Sequence, residues 1–215
     1  MKRGFDIVCA ATGLLVLSPL LILIARRIKK EDGGPIFYRG ERVGRHGKTF
    51  RIYKFRTMVV DAEKIGPCST SEEDPRITRI GHFLRKRKLD ELPQLINVLL
   101  GDMSIVGPRP EVKRFVDMFT DREKAILSVR PGITDWASIW NCDEGSVLAG
   151  AKDPDKVYLE QIRPTKIALQ LKYVEEQSFR TDLKIIFLTL LAVINPEIKM
   201  IREIRQYIIP HNNPV

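Results

Sequence analysis

Residues 7–25 read IVCAATGLLVLSPLLILIA, a run of nineteen residues without a charged side chain. A straight helix of that length is about 28 Å long, close to the thickness of the hydrocarbon core of a bilayer. The run therefore predicts a membrane segment. A cleaved signal peptide is disfavoured, because Ala25 is followed directly by Arg26 and Arg27 rather than by a small-residue cleavage site. A simple membrane anchor remains a second interpretation.

Basic residues flank this segment on both sides: Lys2 and Arg3 before it, and Arg26, Arg27, Lys29 and Lys30 after it. Positive charge favours the cytoplasmic side of a membrane, so a segment that returns to the side it entered keeps both groups there. Ser18 and Pro19 lie past its middle, where proline removes a backbone hydrogen bond and kinks a helix. We predict a re-entrant membrane helix over residues 1–30 and a cytoplasmic domain over residues 31–215. The alternative is a kinked helix that spans the membrane.

The whole chain of 215 residues is basic, with 36 Lys and Arg against 27 Asp and Glu and a formal net charge of +9. Charged residues make up 29% of it, which excludes a disordered chain and a polytopic membrane protein. The excess positive charge predicts an anionic partner. Nucleic acid is not expected, because no nucleic-acid motif is present and the basic residues are spread along the chain. Cys9, Cys68 and Cys142 are far apart and indicate neither a disulfide framework nor a metal site.

The remaining pattern predicts an α+β fold that is mostly helical. Strand-like residues 36–40 and 49–58 flank a glycine-containing turn and predict a small β-hairpin within residues 35–58. Residues 66–78 predict a mobile or solvated loop, and the segments GDMSIVGPRP and RPGIT predict turns. Helices are predicted at 80–89, from 90–93 to Gly101, at 111–129, at 155–177 and at 180–194. The last contains the uncharged ten-residue run IIFLTLLAVI, too short to span, and either lies at the membrane interface or fills the core.

Asp90 and Glu91 differ in their surroundings from the other acidic pairs of the chain. The cationic run 85–88 precedes them, and a predicted helix begins at them. Positive charge and free helix amides both favour the ionised carboxylate. An ionised and partly desolvated aspartate can act as a nucleophile or hold a divalent metal. The alternative is an ordinary N-capping pair.

Three basic residues are candidate phosphate ligands. Arg109 stands between Pro108 and Pro110, a stiff support that suits two-point recognition of a phosphate, although a turn arginine paired with a carboxylate fits equally well. Lys54 and Arg56 are two residues apart on a predicted strand and so share a face. They either meet a diphosphate or form a solvated face. No glycine-rich phosphate loop is present, so side chains and metal would have to hold any phosphate.

The chain resembles the small, monotopic form of the bacterial phosphoglycosyl transferases, also called bacterial sugar transferases. The matching segments run in order from residue 2 to residue 134: KRGFDIV, LSPLL, FRIYKFRTM, DPRITRIGHFLRK, LDELPQLINVLLGDMSIVGPRPE and RPGIT. The segment at 89–111 is the most specific of these. Because the match begins almost at residue 1, we expect the additional N-terminal membrane region of the large form to be absent.

The resemblance implies transfer of a sugar 1-phosphate from a nucleotide-diphosphate sugar, expected to be a UDP-sugar, to polyprenyl (undecaprenyl) phosphate. This is the first membrane step of glycoconjugate and polysaccharide synthesis. Asp90 matches the family nucleophile, which forms a covalent phosphosugar intermediate, and Glu91 matches its partner carboxylate. These two would hold Mg²⁺, or Mn²⁺ in its place. Lys54, Arg109 and Arg130 match phosphate or nucleotide ligands, and Ser18 and Pro19 match the break in the re-entrant helix.

The resemblance further implies amphipathic interfacial helices, contact with membrane lipids, and a place at the bacterial inner membrane with the catalytic domain facing the cytoplasm. The chain departs from the family after RPGIT, where Asp135, Trp136 and Ser138 replace the usual residues and NCDEGS follows. The sugar therefore stays open, as does the oligomeric state. The competing hypothesis is a non-enzymatic, membrane-anchored basic protein that binds anionic lipid or nucleic acid, but it does not explain residues 89–111.

Overall fold

A computed structural model describes residues 1–66, 70–71, 73–141 and 147–194. It begins with one long helix, α1 (Lys2–Asp32), which continues through Ser18 and Pro19, so the helix break predicted at this pair is not found. The hydroxyl of Ser18 donates a hydrogen bond of 2.8 Å to the carbonyl of Leu15. That carbonyl is the one that the missing N–H of Pro19 would otherwise have bonded. The serine of the Ser-Pro pair therefore satisfies the backbone acceptor that the proline leaves free.

One face of α1 packs on the rest of the protein and the opposite face is exposed. Asp6, Ala10, Ile24 and Ile28 are buried. The exposed face is apolar and contains Ile7, Val8, Leu15, Val16, Ile22 and Leu23. By length and composition α1 is able to cross a membrane, and it is the one helix of the described residues that passes this test.

Both ends of α1 are attached to the same globular body. At its start, Arg3 donates to the carbonyl of Val98 (2.6 Å), and Asp6 accepts from Ser104. At its end, Glu31 accepts from the N–H of Arg79 (2.9 Å). An ion pair between Asp32 and Arg56 adds a second attachment there.

The predicted hairpin is found as two short antiparallel ladders. Strand β1 (Phe37–Tyr38) pairs with β4 (Lys54–Phe55), and β2 (Glu41–Val43) pairs with β3 (Thr49–Arg51). The chain turns back at 44–48. The loop predicted at 66–78 is partly ordered by a buried ion pair of 2.6 Å between Asp74 and Arg76, so it is not simply mobile or solvated there. Its residues 67–69 and 72 lie outside the described residues.

The two helices predicted around Asp90 are present, with different bounds. Helix α2 (Arg79–Lys86) begins at the side chain of Thr78, which accepts from the N–H of Gly81. The helix predicted to begin at 90–93 begins instead at Gln94, as α3 (Gln94–Leu100). Between them, Leu89–Glu91 forms a single 3₁₀ turn. Asp90 and Glu91 thus lie in a tight turn between two helices rather than in the first turn of one.

The turn predicted around Arg109 is present, but the segments GDMSIVGPRP and RPGIT also hold two strands that were not predicted. These are β5 (Ser104–Val106) and β6 (Gly132–Thr134), which pair in parallel. Gly107, just after β5, and Gly132, the first residue of β6, lie very close together. A Cβ on Gly132 would be 2.1 Å from the backbone nitrogen of Gly107. Only glycine permits this approach. The parallel pair therefore fixes the turn that carries Arg109 beside the start of β6.

The single helix predicted at 111–129 is wrong. Only α4 (Lys113–Val116) and a 3₁₀ segment (Glu123–Ser128) are helical there. A capping box interrupts the run: the hydroxyl of Thr120 accepts from the N–H of Glu123, whose carboxylate accepts from the N–H of Thr120. This exchange starts a new helical segment at Thr120 instead of continuing the first.

The C-terminal helices enclose the core. Helix α5 (Trp136–Trp140) is followed by α6 (Pro154–Val157), a π-helical turn (Tyr158–Ile162), α7 (Arg163–Glu175) and α8 (Phe179–Ile194). The helices predicted at 155–177 and 180–194, and therefore the break between them, are confirmed. The π turn precedes Pro164, which has no N–H to continue α-helical bonding.

Helix α8 resolves the alternatives left open for its apolar run. Ile185 and Leu188 are buried in the core against Trp136 and Tyr173. The other face is apolar as well and is exposed at Phe179, Leu183, Phe187, Leu190, Val193 and Ile194. The helix therefore fills the core with one face and leaves an apolar surface on the other.

Candidate active site

Glu91 lies at the centre of an ion-pair network. Its Oε1 accepts from Nζ of Lys54 (2.9 Å) and from Nη2 of Arg109 (2.5 Å), and its Oε2 accepts from Nη1 of Arg109 (2.8 Å). Burial alone would raise the pKa of the Glu91 carboxyl, but Arg109 and Lys54 more than offset this and hold that pKa well below its usual range. The structure thus brings together Lys54, Glu91 and Arg109, which are far apart in the sequence.

The backbone of Arg109 is held from two directions. Its N–H donates to Oδ2 of Asp135 (3.3 Å), and its carbonyl accepts from Nε2 of Gln170 (3.3 Å). Asp135 is fully buried and also accepts from the N–H and the hydroxyl of Ser138. Two rigid prolines flank Arg109, and these bonds fix the peptide between them. Asp135 and Gln170 were not predicted as site residues. The only sequence signal for Asp135 was its departure from the family pattern.

Asp90 differs from Glu91 in having no hydrogen-bond partner among the described residues, although it is buried with 8% of its surface exposed. Burial raises the pKa of its carboxyl, and the negative charge of Glu91 raises that pKa further. Lys54, Arg85 and Lys88 act in the opposite direction. Each nearby cation favours the ionised form of Asp90, as expected from the sequence. Desolvation has the larger effect, so the pKa of Asp90 is raised overall. The result is a carboxylate with its oxygens free and weakly solvated.

Two residues of the cationic run contribute to the site. Arg85 is oriented by a bond of 3.0 Å from its Nε to the hydroxyl of Thr57, and burial lowers the pKa of its guanidinium. Lys88 adopts a left-handed φ of 55°, a strained conformation for a residue other than glycine. Both oppose the rise in the pKa of Asp90. We refer to Lys54, Arg85, Lys88 and Arg109 as the cationic cluster.

The other two predicted phosphate ligands do not join this cluster. Arg56 is buried, and its guanidinium bonds both oxygens of Asp32 and the carbonyl of Pro35. The pKa of Asp32 falls to about 2, mainly because of this bond to Arg56. Arg130 bonds the carbonyl of Gly101, after the last residue of α3, whereas Asp90 precedes the start of that helix. In this structure Arg56 fastens the end of α1, and Arg130 lies at the far end of α3.

Asp90 and Glu91 are also the residues available to hold a divalent cation. Within the described ranges, no group of three or more His, Cys, Asp or Glu side chains is placed to bind a metal. Mg²⁺ typically binds through one or two carboxylates and completes its shell with water and substrate phosphates. The free oxygens of Asp90 fit that pattern. Those of Glu91 already accept three hydrogen bonds, so its share in a metal site would be smaller.

The geometry suits attack on a phosphate ester. A nucleophile needs a free lone pair, and none of the described residues donates a hydrogen bond to the oxygens of Asp90. A diphosphate can approach a carboxylate only if its negative charge is neutralised. The cationic cluster provides the neutralising positive charge from fixed positions. Glu91 holds Lys54 and Arg109 in place.

Comparison with known proteins gives a consistent result. Residues 1–196 match the model of the family described as bacterial sugar transferase. The chain is 39% identical over 198 residues to the UDP-N-acetylgalactosamine-undecaprenyl-phosphate N-acetylgalactosaminephosphotransferase of Aeromonas hydrophila, covering 90% of this chain and 44% of that protein. It is 40% identical over 199 residues to the UDP-glucose:undecaprenyl-phosphate glucose-1-phosphate transferase of Escherichia coli, covering 88% and 39%.

A third relative is closer in length. The chain is 37% identical over 207 residues to the exopolysaccharide production protein ExoY of Sinorhizobium fredii, covering 89% of this chain and 84% of that protein. The chain therefore spans less than half the length of the first two relatives and most of the third.

Proposed function

Since the chain belongs to the bacterial sugar transferase family, we propose that it transfers a sugar 1-phosphate from a nucleotide-diphosphate sugar to a polyprenyl phosphate. The observation that carries this proposal is Asp90, a buried carboxylate without a hydrogen-bond partner in the described part of the chain, next to the cationic cluster. The names of two relatives contain a UDP-sugar and undecaprenyl phosphate, so these are the proposed donor and acceptor.

The reaction then has two steps. In the first, an oxygen of Asp90 forms a bond to the donor phosphorus that carries the sugar. The bond from that phosphorus to the bridging oxygen breaks, and the nucleoside monophosphate leaves. In the second, an oxygen of the acceptor phosphate attacks the same phosphorus and releases Asp90. Each phosphorus–oxygen bond formed is matched by one broken, and the covalent step separates the soluble donor from the lipid acceptor.

The protein side chains have distinct tasks in this scheme. Lys54 and Arg109 bind the diphosphate oxygens, and Glu91 orients both of them. Arg85 and Lys88 stabilise the ionised form of Asp90. Arg56 and Arg130 remain predicted phosphate or nucleotide ligands from the sequence, at positions outside the cationic cluster.

The proposed cofactor is Mg²⁺, held by Asp90 and by the donor phosphates, with Glu91 as a weaker ligand. When bound, it neutralises developing charge on the leaving phosphate. We expect an excess of chelator to abolish release of nucleoside monophosphate and added Mg²⁺ to restore it, with Mn²⁺ as a substitute. Full activity in chelator would show that the cationic cluster alone neutralises the diphosphate.

The proposed location is the cytoplasmic face of the bacterial inner membrane. Contacts of both ends of α1 with one body support a re-entrant helix, since a spanning helix would carry one end across the bilayer. The exposed apolar faces of α1 and α8 support contact with lipid. Basic residues at both ends of the apolar run support the cytoplasmic side.

The test of the covalent step uses donor labelled in its sugar and no acceptor. Wild-type protein should retain label, and Asp90→Asn should retain none and lose turnover by several orders of magnitude. Asp121→Asn is the matched control, because the Asp121 side chain is 98% exposed. Near-normal turnover of Asp90→Asn would remove Asp90 from this role. Unlabelled wild-type protein that still turns over would exclude the two-step scheme.

A further inference from the structure

A cavity of about 150 Å³ lies between the start of α1 and the residues that precede β6. Four of the side chains that line it are basic: Lys2, Arg3, Arg45 and Arg130. The one acidic side chain in its lining, Asp6, already accepts hydrogen bonds from the hydroxyl of Ser104 and the N–H of Ile105. The cavity is therefore strongly positive. Since a water molecule occupies about 30 Å³ in the liquid, it also has room for a phosphate group.

Three of these basic side chains lack a carboxylate partner. Lys2 pairs with Asp182 (2.6 Å), but no ion pair within the described residues involves Arg3, Arg45 or Arg130. Instead, Nε of Arg45 donates to the carbonyl of Ser128 (2.9 Å), and Nε of Arg130 to that of Gly101 (3.0 Å). These bonds orient both guanidinium groups and leave their two terminal nitrogens as donors. That is the arrangement by which arginine binds a phosphate at two points.

The surroundings of the cavity indicate where the anion comes from. Phe5, near Lys2 and Arg3, packs edge-to-face on Phe179 of α8. Arg3 bonds the carbonyls of Val98 and Leu99, next to Leu100, whose side chain is 64% exposed. Two exposed apolar residues thus lie next to this part of the chain: Leu100 of α3 follows a residue that Arg3 bonds, and Phe179 of α8 is in contact with Phe5. A bilayer that receives these residues would bring its headgroups to the level of the arginines.

We propose that Arg45 and Arg130, together with Arg3, bind the phosphate of an anionic membrane lipid in this cavity. The site is separate from the catalytic carboxylates, because Asp90 precedes α3 and Arg130 contacts the residue that follows it. A helix of seven residues, about 10 Å long, lies between them. The proposal rests on the membrane association proposed above and not on the transfer reaction, so a binding measurement without donor or turnover tests it.

The experiment measures binding of short-chain phosphatidylglycerol to the full chain in detergent, by native mass spectrometry. Arg45→Gln and Arg130→Gln should each weaken binding about fivefold or more. The matched control is Arg122→Gln, which removes an exposed arginine outside the cavity and should leave binding unchanged. Arg45→Lys should retain part of the affinity, since it keeps the charge and loses the fork. Short-chain phosphatidylcholine should bind more weakly, because its choline cation meets the same positive cavity.

Three results would overturn the proposal. Absence of phosphatidylglycerol binding by the wild-type chain is the first. An equal loss with Arg122→Gln would show that binding follows overall charge rather than this cavity. Glycerol 3-phosphate or inorganic phosphate binding as tightly as the lipid would make the cavity a site for soluble phosphate. Thermal unfolding of Arg45→Gln at the wild-type midpoint confirms that a loss of binding is not a loss of fold.

Discussion

Asp90 and Glu91 are neighbours in the chain and have opposite effects on stability. Glu91 accepts hydrogen bonds from two cations, and its pKa in the folded protein is lowered. Its ionised form therefore stabilises the fold at any pH above the pKa that Glu91 has in the unfolded chain. This stabilisation is lost as the pH falls through the folded pKa. Asp90 has a raised pKa, so its ionisation opposes folding. The stability that its protonated form provides at low pH is lost as pH rises through the folded pKa.

Isosteric amides at the two positions should therefore shift stability in opposite directions. At neutral pH we expect Asp90→Asn to raise the thermal unfolding midpoint, since it removes a poorly solvated charge, and Glu91→Gln to lower stability by about 2–3 kcal/mol, since it leaves Lys54 and Arg109 without their anion. The gain of Asp90→Asn should shrink as pH falls, because wild-type Asp90 becomes protonated. Unfolding in detergent between pH 4 and pH 8 measures both; destabilisation by Asp90→Asn at neutral pH would contradict the desolvation argument.

Asp135 should act on the reaction through Arg109 rather than by touching substrate. In Asp135→Asn, the amide oxygen can still accept from Ser138 and keep the helix start, but the amide nitrogen would face the N–H of Arg109 and Nε2 of Gln170, both donors. The Arg109 peptide must then shift. Misplacement of a transition-state ligand by about 1 Å costs on the order of a hundredfold in rate.

We therefore expect Asp135→Asn to lower kcat by about tenfold to a hundredfold, with a smaller change in KM. The matched control is Asp153→Asn, another aspartate whose side chain caps a helix, far along the chain from Arg109. Equal kcat values for the two variants would show that Asp135 serves only the start of α5.

At the level of single residues, the sequence motifs indicated three residues that the structure brings together, and missed the side chains that hold them. Lys54, Glu91 and Arg109 meet as the motifs implied. The role of Gln170 depends on packing of α7 behind the Arg109 turn, a contact across 61 residues that no local pattern encodes. The strand face that Arg56 was predicted to share with Lys54 is not found, because β4 ends at Phe55 and Asp32 at the end of α1 pairs with Arg56.

At the level of elements, periodicity identified those that are long and amphipathic. The spacing of apolar residues predicted helix α8 and the break that precedes it. Strands β5 and β6 were not predicted, because three residues between glycines and prolines look like a turn until their parallel partner is known. At 111–129 one long helix was predicted where the structure has two short helical segments. The apolar spacing is helical, but Thr120 and Glu123 cap a new segment within it.

At the level of the whole molecule, α1 contains the apolar run 7–25 and also contacts the elements that form the candidate site. Lys2 at its start bonds the carbonyl of Val106, immediately before the turn that carries Arg109, and Ala10 packs with Val98 and Met103 around α3. At its other end, Ile24 and Ile28 pack with Phe55 and Leu84, which lie on the elements that carry Lys54 and Arg85. The two halves of α1 therefore pack against the elements on either side of the turn that holds Asp90 and Glu91. A bilayer that set the depth of α1 would set the height of Asp90 above the lipid.

The last prediction follows from this arrangement. Helix α1 has 31 residues and is about 46 Å long, and a spanning orientation would separate its ends by the full hydrocarbon core of about 30 Å. Arg3 and Glu31 could not then both reach a globular body on one side of the membrane, as their bonds to Val98 and Arg79 require. Single cysteines at positions 2 and 27, in a background without Cys9, Cys68 and Cys142, should both be shielded from an impermeant thiol reagent in intact cells and react after lysis. Replacing Ser18 and Pro19 with leucine removes the kink-prone pair, whose serine bonds the Leu15 carbonyl, and should move position 2 toward the outside in a fraction of molecules. Labelling of position 2 in intact cells carrying the native Ser-Pro pair would establish a spanning helix and exclude the re-entrant one.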